Sequence, residues 1–242
     1  AETAPGRTLG GIFTEADMGV DASKNAAHLR IDWEGAQPVT LRDSEGNPVS
    51  AHRLMVVEPD GTRRPMTGAE VVGRMDPEIL GEGVSGKVYP FGDGMVIKVF
   101  RTEAEEYGGI QDRAGGDLAH LREELPDGAT IDDEMPWAHV EKNALQELAD
   151  HVGAENVVDA AGPYLVGNRL VLFMPRYAHS SNALAIDQAT RTFIGEGAGL
   201  LNERTARSAA SITDSLNLAG KYPSDSQFLT HPNGSVILHD PD

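Results

Sequence analysis

The stretch from Ile79 to Phe100, ILGEGVSGKVYPFGDGMVIKVF, carries the strongest structural signal in this sequence. Gly81, Gly83 and Gly86 fit the pattern G-x-G-x-x-G-x-V. The same residues fit G-x-x-x-x-G-K-[ST] except at the last position, where Val88 replaces the hydroxyl residue. Both patterns describe loops that cradle phosphate, because glycine has no Cβ to keep a ligand away from the backbone N–H groups. The stretch therefore predicts a phosphate-binding loop.

The residues after this loop distinguish the two patterns. The second pattern continues as a helix and needs a Ser or Thr hydroxyl for Mg²⁺. Here the segments 88–91 and 95–100 are rich in β-branched and aromatic residues, and Asp93-Gly94 between them is a hairpin signal. The sequence thus predicts two antiparallel strands with Lys98 on the second. The alternative without a function is a glycine-rich hairpin that carries an exposed lysine.

A glycine loop followed by a lysine on the next strand resembles the small lobe of protein kinases. The resemblance implies that the chain binds ATP and that Lys98 holds the phosphates. It also implies that the loop residues in contact with the nucleotide are Gly81, Gly83, Ser85 and Gly86. Downstream segments extend the likeness.

The segment 141–148 resembles the kinase helix whose glutamate pairs with the strand lysine. It lies within 137–152, where apolar residues recur at helical spacing. By the family pattern the glutamate that orients Lys98 is Glu141, and Glu147 is the competing choice.

The segment 171–177 is similar to the last strand and the hinge of the kinase small lobe, where adenine meets the backbone. Met174 is then the residue that guards the back of the adenine pocket. Pro175 has no N–H, so the N–H that bonds to adenine is expected to come from Tyr177.

Two later segments resemble the kinase catalytic loop and the strand that ends in a metal-binding aspartate. The resemblance implies that Asp225 aligns the attacking hydroxyl or accepts its proton. It also implies that Gln227 and Asp240, which are spaced as kinase metal ligands are, bind Mg²⁺. Carboxylate and amide oxygens are hard ligands of the kind that Mg²⁺ prefers.

The catalytic loop departs from the usual kinase pattern. Lys221-Tyr222-Pro223 stands where kinases have His-Arg-Asp, Gln227 replaces asparagine, and no glycine follows Asp240-Pro241. The short spacing from Asp225 to Asp240 resembles the minimal kinases that bacteria inject into host cells, of the OspG, NleH and HopBF types. This resemblance implies a secreted effector that acts in the host cytoplasm as an ATP- and Mg-dependent kinase of a host protein, with Ser or Thr as the acceptor.

The expected fold is α+β and protein-kinase-like, with an antiparallel-sheet small lobe and a reduced helical large lobe. Residues 1–76 form the predicted N-terminal extension, which is partly disordered over about 1–27 and then a short β-meander. Residues 77–242 form the predicted kinase-like domain, with an acidic insertion at 101–134. We interpret the insertion as a partner-recognition element, the alternative being a solvated loop.

Composition excludes several classes of function. The formal net charge is −18, from 20 Lys and Arg against 38 Asp and Glu, which disfavours binding to nucleic acid or anionic membranes. The chain has no Cys, so thiolate catalysis and Cys-ligated zinc are excluded. No apolar run reaches the roughly 18 residues of a membrane span. These features favour a protein partner and leave the oligomeric state open.

Three other functions remain compatible with the sequence. The first is a pseudokinase or binding module that acts on a partner without phosphoryl transfer, as the altered catalytic loop indicates. The second is a kinase-like enzyme that transfers a nucleotidyl group instead. The third is an interaction or delivery module in which residues 1–76 are the working part.

Overall fold

The structure, a computed structural model, describes residues 29–83, 85–92, 94–101, 116–131, 137–177, 185–187, 192–194, 203–220, 226–230 and 236–240. Only the backbone is described at 116–117, 185–187, 192–194, 226–228, 230 and 239–240. Asp225 and the N-terminal residues predicted to be partly disordered lie outside the described ranges.

Within these ranges the strands are β1 (Arg30–Arg42), β2 (Pro48–Val57), β3 (Arg63–Pro65), β4 (Gly81–Glu82), β5 (Gly86–Phe91), β6 (Met95–Phe100), β7 (Ala161–Val166), β8 (Arg169–Pro175), β9 (Ala185–Asp187), β10 (Thr192–Ile194), β11 (Ser226–Thr230) and β12 (Val236–Asp240). The helices are α1 (Gly68–Val72), α2 (Gly116–His120), α3 (Trp137–Val152) and α4 (Glu203–Leu218). Helix α3 has the bounds that the apolar periodicity predicts.

The chain divides into two compact units, one comprising residues 1–139 and 161–173 and the other residues 140–160 and 174–242. The first unit is built on a sheet of eight strands in the order β1-β2-β7-β8-β6-β5-β4, with β3 also paired to β2. The pairs are antiparallel at β1–β2, β4–β5, β5–β6 and β7–β8 and parallel at β2–β7. A mostly antiparallel sheet with few helices confirms the predicted α+β class. Strands β1 to β3, from the predicted N-terminal extension, belong to this same sheet.

The core of the first unit is centred on aromatic rings. Phe173 makes edge-to-face contacts with Trp33, Phe91 and Tyr164, at centroid distances of 5.1, 5.0 and 5.6 Å. Each such pair stabilises the fold by about 0.5–1.5 kcal/mol beyond its buried area. Other buried members of this cluster are Leu54, Val56, Val71, Val72, Met75, Tyr89, Ile97, Val99, Leu121 and Val171.

The described half of the predicted acidic insertion, residues 116–131, is part of this core. Leu118 and Leu121 are buried within the aromatic-centred cluster. The carbonyl group of Leu121 packs so closely on Gly68 and Gly167 that a Cβ at either glycine would clash with it. This segment is therefore not a solvated loop.

The second unit contains a sheet of four strands in the order β10-β9-β11-β12. Helix α4 lies against β12, and its buried residues are Thr205, Ala209, Ile212 and Leu216. The Ser208 hydroxyl accepts a hydrogen bond from the Val236 N–H at 3.2 Å. The Val158 N–H also donates to the Leu238 carbonyl at 2.9 Å. Strand β12 thus has contacts with β11, with α4 and with the segment at Val158.

Candidate functional site

The glycine loop folds as the predicted hairpin. Gly81 pairs with Val88 across the β4–β5 ladder, and the next pair joins Glu82 to Lys87. The Gly83 N–H donates to the Gly86 carbonyl at 2.9 Å and closes the turn. Because that N–H is already hydrogen-bonded within the turn, Gly83 cannot donate it to a ligand. Gly83 can favour binding only because it has no side chain in the way.

The three glycines of the hairpin differ in whether the fold leaves room for a side chain. A Cβ at Gly86 would clash with the Val99 carbonyl and lie 3.1 Å from the Phe100 Cα, so the packing of β5 on β6 requires glycine there. A Cβ at Gly81 or Gly83 would have no heavy atom within 4 Å. The fold leaves open space beside these two glycines, and that space is where a ligand could approach the backbone.

Arg101 follows β6 directly and ties the hairpin together. Its backbone N–H donates to the Ser85 carbonyl at 2.9 Å. Its guanidinium group donates to the Gly83 carbonyl and pairs with the Glu82 carboxylate. The Arg101 side chain is 12% exposed, whereas that of Glu82 is 53% exposed. One largely buried arginine therefore contacts both arms of the loop.

Lys98 lies on the face of the sheet opposite the aromatic core. Ile97 and Val99 belong to the core cluster, and side chains alternate along a strand, so Lys98 points the other way. Its strand partner is Val88, the valine of the glycine-loop pattern. The Lys98 ammonium nitrogen lies 5.1 Å from the centroid of the Phe100 ring on the same face. The glycine hairpin and the lysine thus share one continuous piece of sheet.

The predicted hinge follows the strand next to that of Lys98. Strand β8 neighbours β6, and its last buried residue is Met174, before an exposed Pro175. In the second unit, Tyr177 is half-buried, and burial together with the nearby charge of Asp159 raises the pKa of its phenol. The phenol therefore stays protonated at neutral pH.

Glu141 lies on the buried stripe of helix α3, and Glu147 does not. Ala138, Leu145, Leu148 and Val152 are the buried residues of the helix. Glu141 falls three residues after the first and four before the second, on the same side, and is half-buried. The Glu147 side chain is 58% exposed and reaches the His151 ring at 4.0 Å. Glu141 is therefore the more buried of the two candidates.

Gln227 and Asp240 are register partners across the antiparallel β11–β12 pair. The next pair joins Phe228 to Leu238, so His239 is an extra residue that makes a β-bulge beside Asp240. The two predicted metal ligands are therefore adjacent at the backbone level. In the described part of the chain, no group of three or more His, Asp or Glu residues is arranged to hold a metal ion.

The predicted site residues fall into two groups. The first unit holds Gly81, Gly83, Ser85, Gly86 and Lys98, and the second holds Glu141, Met174, Tyr177, Gln227 and Asp240. Sequence reasoning missed Arg101. Its role depends on the β5–β6 register, in which Phe100 pairs with Gly86, and no local sequence pattern gives that register.

Comparisons of this chain with models of protein families, with curated proteins and with solved structures find no match. Among the described residues, no helix is both long enough and apolar enough to cross a membrane.

Proposed function

We propose that this chain is an ATP- and Mg-dependent protein kinase that transfers a phosphoryl group to a Ser or Thr of another protein. One observation carries the proposal: the fold does not require Gly81 or Gly83, yet both lie in a hairpin whose second strand pairs directly with the strand of Lys98. Where the fold does not require glycine and a cation is near, glycine allows an anionic ligand to approach the backbone closely.

The strand order supports a nucleotide as that ligand. Strand β6, which carries Lys98, lies between β5 of the glycine hairpin and β8, which leads to the predicted hinge. Strands in a sheet are about 4.8 Å apart, so β5 and β8 are separated by about 10 Å. Measured across the sheet, this separation is within the length of one nucleotide. The same order supports a kinase-like small lobe.

In the proposed reaction, each predicted site residue has a separate role. Lys98 and the hairpin hold the phosphates. By the kinase resemblance, Glu141 is the residue that orients the lysine. Met174 and Tyr177 border the base. Asp225 aligns the acceptor hydroxyl or takes its proton. Such a site acts mainly by positioning the reactants and stabilising charge.

The donor set of β11 and β12 fits magnesium. A carboxylate and an amide oxygen at paired strand positions offer two hard ligands from one edge of a small sheet, and Mg²⁺ in phosphoryl-transfer sites takes few protein ligands. When bound, ATP with Mg²⁺ supplies the phosphoryl group and offsets its negative charge.

The substrate of the proposed reaction is a host protein, and the place of action is the host cytoplasm, as the resemblance to injected minimal kinases implies. The net charge of −18 favours a basic protein among the possible substrates.

The test is incubation of the chain with labelled ATP, Mg²⁺ and host-cell extract, followed by identification of the labelled protein. Lys98→Ala and Asp240→Ala are expected to abolish transfer. Asp214→Ala is the matched control, because Asp214 is an exposed carboxylate on α4 in the same unit as Asp240. Full transfer by both site variants would refute the assignment.

A second candidate is a pseudokinase that binds ATP and a partner without transfer. The observation in its favour is the Gly83 N–H, which is donated within the turn and is not available to a phosphate. Saturable ATP binding with no label in any protein of the extract would identify this function.

A further inference from the structure

We propose that Arg101 is a positioning residue that latches the glycine loop in the conformation that receives the nucleotide phosphates. The inference rests on the proposed function, since it assigns a residue to the same site. It adds a role that neither the glycine pattern nor the kinase resemblance specifies. The latch consists of Arg101 and its three loop partners, Glu82, Gly83 and Ser85.

The latch joins both arms of the hairpin to the end of β6. On the first arm, the Arg101 guanidinium pairs with the Glu82 carboxylate and donates to the Gly83 carbonyl. On the second arm, the Arg101 backbone N–H donates to the Ser85 carbonyl at 2.9 Å. A planar guanidinium can satisfy a carboxylate and a carbonyl together because its N–H groups are arranged as a rigid fork. A lysine ammonium lacks that fork.

The loop needs such a restraint because it is rich in glycine. Glycine loses more backbone freedom on ordering than any other residue, so a loop with Gly81, Gly83 and Gly86 is costly to hold in one conformation. The Arg101 side chain is 12% exposed, so its hydrogen bonds are less weakened by water than those of a surface ion pair. Ordering the loop before the ligand arrives reduces the entropy that binding must offset.

The latch also fixes the position of the loop relative to Lys98. Arg101 lies three residues after Lys98, a distance of about 10 Å along an extended chain. Arg101, which fixes the loop, therefore directly follows strand β6, which carries the Lys98 ammonium group. Loss of the latch is expected to release the loop while Lys98 keeps its place on β6.

The test uses the full chain in three variants, Arg101→Lys, Glu82→Gln and the double variant. Hydrogen exchange of the peptide that contains the Gly83 amide measures loop opening without any ligand, because that amide is bonded inside the turn. Titration with ATP and Mg²⁺ measures the dissociation constant. Initial rates separate KM for ATP from kcat.

The matched control is Arg63→Lys. Arg63 also bridges a carboxylate, that of Asp32, and a backbone carbonyl, that of Gly35, but in strands far from the hairpin in the sheet order. It should leave the exchange of Gly83 and the affinity for ATP unchanged.

Loop exchange in Arg101→Lys is expected to be about tenfold faster, and the dissociation constant and KM for ATP about threefold to tenfold higher, as loss of one charge-assisted hydrogen bond implies. Glu82→Gln should show a smaller change in the same direction. The double variant should be no worse than Arg101→Lys, because both substitutions disrupt one latch.

The outcomes separate the latch from the proposed function. A wild-type chain without saturable ATP binding overturns both. Wild-type binding with an unchanged dissociation constant in Arg101→Lys and Glu82→Gln overturns the latch alone. A weaker affinity without faster loop exchange also overturns it, since Arg101 would then act on the ligand directly. If Arg101→Lys does not fold, Glu82→Gln decides, because its half-exposed side chain is replaced by one of the same shape.

Discussion

Gln227 and Asp240 face each other as paired residues of β11 and β12, next to the bulge at His239. A bulge changes the direction of neighbouring side chains and is common beside active sites. The pairing makes these two residues neighbours across the β11–β12 ladder. It is the structural basis for the first prediction.

On the proposed function, Gln227→Ala is expected to raise the Mg²⁺ concentration needed for half-maximal phosphoryl transfer by about tenfold or more, since the proposed site would lose one oxygen ligand. Gln227→Asn, which keeps the amide, should retain part of the activity. Removal of Mg²⁺ with a chelator should stop transfer by the wild-type chain, and added Mg²⁺ should restore it. The measurement is the transfer rate as a function of Mg²⁺ concentration. An unchanged Mg²⁺ requirement in Gln227→Ala would exclude this residue as a ligand.

Two glutamates of α3 give a matched pair for the second prediction. The kinase resemblance assigns Glu141 to the orientation of the lysine, so on the proposed function Glu141→Gln should lower kcat for transfer by about a hundredfold. Glu147→Gln should change it little, because Glu147 lies on the exposed side of the helix. Both variants keep the shape and length of the side chain. Equal losses in the two variants would contradict the choice of Glu141.

The glycine hairpin gives the third prediction, which separates stability from binding. Gly86→Ala should lower the free energy of unfolding by about 1–3 kcal/mol, because the added Cβ overlaps the Val99 carbonyl. Gly81→Ala should change it by less than about 0.5 kcal/mol, since open space surrounds that position. Chemical denaturation measures both values. Gly81→Ala should nevertheless raise KM for ATP severalfold, and an unaltered KM would argue against a phosphate beside this glycine.

Local patterns predicted the parts of the fold that depend on neighbours in sequence. Helix α3 follows from apolar spacing, and the glycine hairpin follows from turn residues between β-forming runs. The separation of Lys98 from the core follows from strand alternation. These features could be read from the sequence because each depends on residues within one or two elements.

Features that depend on distant packing could not be predicted in this way. The acidic composition of residues 101–134 suggested a surface segment, yet Leu121 is fully buried against Gly68 and Gly167. No local sequence pattern around Gly68 or Gly167 indicates that either residue contacts Leu121. Arg101 was missed for the same reason, because its role depends on the register of β5 and β6.

The burial of Leu121 gives the fourth prediction. Leu121→Ala should lower the free energy of unfolding by about 2–5 kcal/mol, the range for truncation of a fully buried leucine. Ala119→Ser, on the exposed side of the same segment, is the control and should be nearly neutral. Denaturant titration followed by fluorescence of the two Trp residues measures both. A neutral Leu121→Ala would show that the segment is not part of the core in solution.

His139 gives the last prediction, a pH dependence of stability. Its Nε2 lies 2.5 Å from the Ser50 carbonyl, which can only accept, so the neutral ring carries its proton on Nε2. Its Nδ1 is buried and has no hydrogen-bond partner among the described residues, and burial lowers the pKa of the ring. Protonation would place a charge on that buried nitrogen.

Because the folded-state pKa lies below the usual value of about 6.5, the unfolded chain binds the proton first as the pH falls. The stability associated with His139 is therefore fully present above about pH 6.5 and is lost as the pH falls from there through the lowered folded-state pKa. His139→Gln, whose amide can still donate to Ser50, should show a flatter stability profile between pH 8 and 5. Denaturant midpoints measured across this range for both proteins provide the comparison, and parallel profiles would show that His139 does not titrate with unfolding.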